Sequence, residues 1–103
     1  IGGLGYDLKY SNEAGETIYA EIKSTTGASI SFVITDGELN FAEAHATLYE
    51  VILVTSVMND DERKIYRLPN LFSYADGEDR LCNSKFSISG DNYTVRCQIS
   101  EPT

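Results

Sequence analysis

Three residues have the types and the spacing to do chemistry together. They are Asp7 and the Glu-x-Lys pair Glu21 and Lys23, the latter inside IYAEIKS (residues 18–24). The segments that carry them, GYDLKY (residues 5–10) and IYAEIKS, alternate like half-buried strands, and the polar, glycine-containing SNEAGE between them reads as a turn. An antiparallel hairpin centred on Ala14 sets Leu8 opposite Ala20, Tyr10 opposite Ile18 and Asp7 opposite Glu21. Side chains alternate faces along a strand. One face therefore gathers Leu8, Tyr10, Ile18, Ala20 and Ile22, the expected core face; the other gathers Asp7, Lys9, Tyr19, Glu21 and Lys23. Two directly opposed carboxylates repel unless something cationic sits between them. Two readings are open. In the first, Asp7 and Glu21 hold a hard divalent cation such as Mg²⁺; the ion organises a water and neutralises charge on a phosphate, while Lys23 stabilises the transition state or positions the nucleophile. In the plainer one, the face is solvated and Lys23 simply offsets two acids.

The elements that must position these residues follow from hydrophobic periodicity. Strands are expected over 6–10, 17–23 and 29–34. TDGELNFAEAHATLY (residues 35–49) reads as a helix: Thr35 and Glu38 have capping-box spacing, and Leu39, Ala42, Ala46 and Tyr49 share one face. VILVTSV (residues 51–57) is continuous enough for a central strand covered on both faces. KIYRL (residues 64–68) is a strand ended by Pro69, residues 70–81 are loop, and KFSIS with YTVRCQI forms a terminal hairpin around SGDN. The expected class is α/β or α+β, built on one mixed, mainly antiparallel sheet with one clear helix and a C-terminal hairpin.

The chain has 103 residues, one domain's worth, with 16 Asp and Glu against 8 Lys and Arg, a formal net charge of −8. That balance argues against a bare nucleic-acid-binding module, whose footprint is basic. It does not exclude a domain whose acids hold a divalent metal, or one attached to a basic neighbour, but its sign counts against a nuclease. No apolar run approaches about 18 residues, so no membrane span is expected. The opening IGGLGYDLKY has no signal-peptide pattern, which points to a cytoplasmic location. It also has no Met, so a fragment or processed product is expected. Cys82 and Cys97 flank the terminal hairpin nearly across from each other; a disulfide and a pair of buried thiols are both open, while two cysteines make no zinc site.

The ordered set Gly5-Tyr6-Asp7-Leu8, Glu21-Ile22-Lys23-Ser24-Thr25, Phe32-Val33-Ile34-Thr35 and Glu38-Leu39 resembles the DUF3883 family, a small domain within the wider PD-(D/E)xK nuclease-like superfamily. The resemblance covers roughly residues 3–72. It implies a restriction-endonuclease-like fold over 1–103, with 73–103 an unmatched C-terminal extension. It also implies that Asp7, Glu21 and Lys23 are catalytic and that Asp7 and Glu21 bind Mg²⁺ or Mn²⁺. The implied function is metal-dependent phosphodiester cleavage, a hydrolase activity within a larger DNA-processing or defence protein. DNA would then be contacted mainly through a neighbouring domain or subunit. The alternative is a non-catalytic interaction or scaffolding domain that keeps the fold. Tyr6 stands where the superfamily's Pro precedes the aspartate, and the superfamily's helix before the aspartate strand has no counterpart in these residues.

Other residues carry weaker expectations. His45, the sole histidine, flanks the helix stripe or serves as a general base, the former being its ordinary role. Glu38 is the capping partner of Thr35, with a place near the metal left open. Ser24 and Thr25 shape the turn after Lys23 or bond a phosphate. Gly2, Gly3 and Gly5 lack the flanking pattern of a phosphate loop. Tyr49, Tyr66 and Tyr74 read as packing residues, and Asp60, Asp61 and Glu62 as a solvated turn.

Overall fold

The hairpin of Leu8–Ser11 (β1) and Thr17–Ser24 (β2) has the expected register, with Leu8 opposite Ala20 and Tyr10 opposite Ile18. Asn12 closes its turn: its side-chain oxygen accepts from the Ala14 and Glu16 amides, and Gly15 takes a φ of 82° that glycine adopts without strain. In this computed structural model, residues 5–69, 86–89 and 94–97 are described. The remaining elements are β3 (Ser31–Val33), α1 (Asp36–His45), a 3-10 turn over Ala46–Leu48, β4 (Tyr49–Thr55), β5 (Lys64–Pro69), β6 (Phe86–Ser89) and β7 (Thr94–Cys97).

Four strands form a sheet in the order β1-β2-β4-β5, antiparallel except for the parallel pair β2 and β4. Among the described residues, the fold is thus α+β with a mainly antiparallel sheet, one helix and a C-terminal hairpin. One strand is placed differently from expectation. β3 joins β7 and β6 in a second, three-stranded antiparallel sheet, leaving β3 and α1 as the crossover that parallel pairing of β2 with β4 requires.

The faces of the hairpin are the reverse of those expected. The core gathers Tyr49, Val51 and Leu53 of β4, Tyr66 and Leu68 of β5, Phe32, Ile34, Leu39, Ala42 and Val95, with Tyr19 packed against it. Register places Tyr19, Glu21 and Lys23 on this inner face, level with Tyr49, Val51 and Leu53. Leu8 and Ile22 lie on the outer face and are exposed, as is Ile65 of β5. The reason is that β4 and β5 put their aromatic and bulkier buried residues on the Tyr19 face, and the helix covers that face. The hairpin's own alternation could not reveal this.

Three further differences concern boundaries. β1 begins at Leu8 rather than at residue 6, because the Asp7 carboxylate takes over the ladder there. The helix stops at His45, and Tyr49 opens β4 instead of continuing the helical stripe. β4 ends at Thr55, where Ser56 turns to a φ of 50°. This central strand is fully buried on one face only; Ile52 and Val54 on the other are half-buried. Also on that face, Glu50 is buried and saturated: Tyr10 donates to Oε1, and Arg67 donates to Oε1 at 2.8 Å and to Oε2 at 3.3 Å. The register sets Phe86, not a cysteine, opposite Cys97. Cys82, Tyr74 and the question of a disulfide lie outside the described residues.

Candidate functional site

β2 delivers Glu21 and Lys23 beneath the start of α1. Because the inner face is the core face, neither is a solvated sheet residue: Glu21 is only 6% exposed and Lys23 is half-buried. The helix supplies the third member. Thr35 and Glu38 form the expected capping box, with the Glu38 amide donating to Thr35 Oγ1 at 3.2 Å and the Thr35 amide to Glu38 Oε1 at 3.0 Å. The same carboxylate accepts from Lys23 Nζ at 2.8 Å, while Glu21 Oε2 lies 3.6 Å from that ammonium.

Asp7 is placed by a different device. Gly5 has a φ of 80°, and a Cβ there would stand 2.6 Å from Phe41 Cβ, so only glycine lets the chain pass this close to the helix. The backbone then enters the hairpin with the Asp7 amide donating to the Ala20 carbonyl, and Asp7 Oδ2 accepts from the Ile22 amide at 2.7 Å. The side chain replaces a backbone carbonyl at the end of the ladder. Asp7 is exposed, but its charge still acts on Glu21 and Tyr49.

The acids differ sharply in proton affinity. Burial, first, and then the hydrogen bond to Glu38 and its charge push Glu21 from an ordinary 4.5 to about 8, Asp7 adding to the rise and Lys23 opposing it. The proton shared by this acid pair is thereby favoured on Glu21 over Glu38. Burial also disfavours the Glu38 carboxylate, but hydrogen bonds from Lys23, the Thr35 backbone and Glu21 outweigh it and hold Glu38 below the ordinary range. The Tyr49 phenol, on the same sheet face as Glu21, is raised by burial and then by the charges of Glu21, Glu38 and Asp7. Its OH also donates to the Gly5 carbonyl at 3.4 Å.

On its other side Lys23 borders an open cleft of about 420 Å³, lined also by Ser24, Thr25, Ser31, Phe32 and Val33. Among the described residues, this lining has no carboxylate. Within it, Thr25 Oγ1 accepts from the Gly27 amide at 3.3 Å, the local turn bond expected of it.

The structure thus brings Glu21, Lys23 and Glu38 together, with Asp7 at their edge. Glu38's second contact and the nearness of Tyr49 went unread in the sequence, although capping-box spacing pointed to the first. His45 stands apart, its Nδ1 2.8 Å from the Phe41 carbonyl and its ring stacked on Phe41 at 4.0 Å. It is a helix-end residue in an aromatic cluster with Tyr19. Asp60 pairs with Arg63 at 2.6 Å in the exposed turn. Among the described residues, no group of three or more His, Cys, Asp or Glu side chains is placed to share one metal ion. Nor, among them, is any helix long and apolar enough to cross a membrane.

Neither the curated proteins nor the solved structures hold a significant match to the chain. A family profile does match, over residues 2–68, which takes in every residue of the site and more than half of the sequence. On that match, the chain belongs to the family described as Protein NO VEIN, C-terminal.

Proposed function

We propose that this is a nuclease-like domain of the DUF3883 and PD-(D/E)xK kind, and that its site serves metal-dependent phosphodiester cleavage within a larger DNA-processing or defence system. The observation that carries the reading is the burial of Glu21 against a second carboxylate and a lysine. Acids buried beside one another weaken a fold, and such arrangements concentrate at functional sites.

The donor set fits the ion in kind and number. Mg²⁺ prefers oxygen ligands and is commonly held by one or two carboxylates, its other positions filled by water and phosphate. Asp7 and Glu21 would hold it. When bound, Mg²⁺ or Mn²⁺ supplies an acidified water and positive charge toward a phosphate oxygen. Lys23 offers an ammonium to the charge that builds on the phosphate. As a ligand, Glu21 would be deprotonated. Phe32 and Val33 form the apolar wall of the adjoining cleft. Arg63 and Arg67 are paired with Asp60 and Glu50, so surface charge for a DNA backbone would come mainly from a neighbouring domain or subunit.

The test is cleavage of supercoiled plasmid and single-stranded DNA with Mg²⁺, Mn²⁺ or EDTA, by the chain and by any longer protein that carries it. Metal-dependent cutting should fall at least about 100-fold in a folded Lys23→Ala variant. Cutting that survives the substitution would remove Lys23 from the mechanism, and no cutting under any condition would favour the second reading. That reading, an interaction module that retains the fold, is supported by the outer sheet face, where Leu8, Ile22 and Ile65 are 42%, 39% and 47% exposed.

A further inference from the structure

We infer that Glu38 is the positioning residue of the site: anchored by the start of α1, its carboxylate fixes the Lys23 ammonium at the edge of the hydroxyl-lined cleft. Its catalytic meaning rests on the proposed hydrolase reading; the placement itself does not.

A lysine ammonium is a point charge on a flexible four-carbon stem, and nothing in the stem fixes its position. Here the short contact is with Glu38, at 2.8 Å, and the contact with Glu21 is the looser one, at 3.6 Å. Glu38 can act as an anchor because it is itself held. Its Oε1 accepts from the Thr35 amide as well as from Lys23, and its own amide is bonded to Thr35 Oγ1. The next residue, Leu39, donates its amide to the Thr35 carbonyl at 2.8 Å and is only 2% exposed in the core. A continuous run of contacts therefore leads from the core through the helix start to the carboxylate, and from it to the ammonium. Lys23 lines its cleft together with Ser24, Thr25 and Ser31, so the clasp decides whether the cation stays beside them or swings to solvent.

A purely capping role for Glu38 makes different predictions, and two substitutions separate them. Glu38→Gln keeps an acceptor for the Thr35 amide but replaces the ion pair with Lys23 by a bond from the ammonium to a neutral amide. Thr35→Ala removes half of the capping box and leaves the Glu38 charge in place. The readout is lysine acetylation by acetic anhydride, followed by mass spectrometry, with exposed Lys9 and Lys64 as internal references. Circular dichroism establishes that each variant is folded. Glu38→Gln should raise Lys23 labelling relative to Lys9 about fivefold, the difference between an ion pair and a bond from the ammonium to a neutral acceptor. Thr35→Ala should leave the ratio nearly unchanged. Wild-type labelling in Glu38→Gln, or an equal rise in Thr35→Ala, overturns the assignment. Labelling needs neither metal nor turnover, so its outcome is separate from that of the cleavage experiment. Where cleavage is present, Glu38→Gln should lower kcat with little change in KM.

Discussion

At the residue scale, Glu21 governs a pH dependence whose sign is unusual for an acid. Between pH 4.5 and about 8 the folded chain keeps a proton that an unfolded Glu21 has released, so stability falls as pH rises through that window. Glu38 acts oppositely and only below its ordinary range, where acid removes the stability its depressed value contributes. Thermal melts on both sides of the Glu21 window should show the higher Tm on the acid side, and Glu21→Gln should flatten the difference. An unchanged slope in that variant would reassign the proton. The register of β1 against β2 was legible because period-two alternation and the Asn12 to Gly15 turn leave one sensible pairing. Glu38's bond to Lys23 was not, because the two residues lie 15 apart across a crossover that no local pattern specifies. Gly5 makes a second prediction. Gly5→Ala faces both the left-handed φ and Phe41, and should cost about 1–3 kcal/mol in chemical denaturation.

At the scale of elements, α1 does more than cover the sheet. Its first turn carries Asp36 and Glu38, favourable beside the positive end of the helix dipole, and its buried stripe is Leu39 and Ala42. Leu39→Ala should cost about 2–5 kcal/mol, the range for a buried leucine whose cavity does not collapse, read from the denaturation midpoint. Thr35→Ala should cost about 1 kcal/mol, as for a lost N-cap. The helix start was legible from Thr35 and Glu38 alone. Its end was not: Leu39, Ala42, Ala46 and Tyr49 keep helical spacing past the point where the backbone tightens into a 3-10 turn and leaves the helix. Periodicity carries no information on that tightening. The aromatic Tyr49 suits a buried strand as well as a helix face.

At the scale of the whole molecule, the four-stranded sheet has two unlike faces. One carries the core and the acids; the other carries exposed Leu8, Ile22 and Ile65 around the Tyr10, Glu50 and Arg67 cluster. Leu53→Ala on the inner face should cost about 2–5 kcal/mol, while Ile65→Lys on the outer face should stay within about 0.5 kcal/mol. A large loss in Ile65→Lys would mean that the outer face is covered. The fold class was legible because each segment's period was clear. Which face became the core was decided by residues contributed from four separate parts of the chain, Tyr19, Leu53, Leu39 and Val95 among them.

The parallel pairing of β2 with β4 also sets an order of events. Glu21 and Lys23 lie before the crossover and Glu38 lies within it, so the three meet only when the crossover docks over the sheet. Antiparallel β1 and β2 can zip locally through their turn, whereas β2 and β4 must first close a long loop, a slower step. During synthesis, the first hairpin can therefore form with Asp7, Glu21 and Lys23 already in place but with no anchor for the ammonium. The clasp from Glu38 is assembled late, so a half-folded chain carries a lysine whose position is not yet fixed.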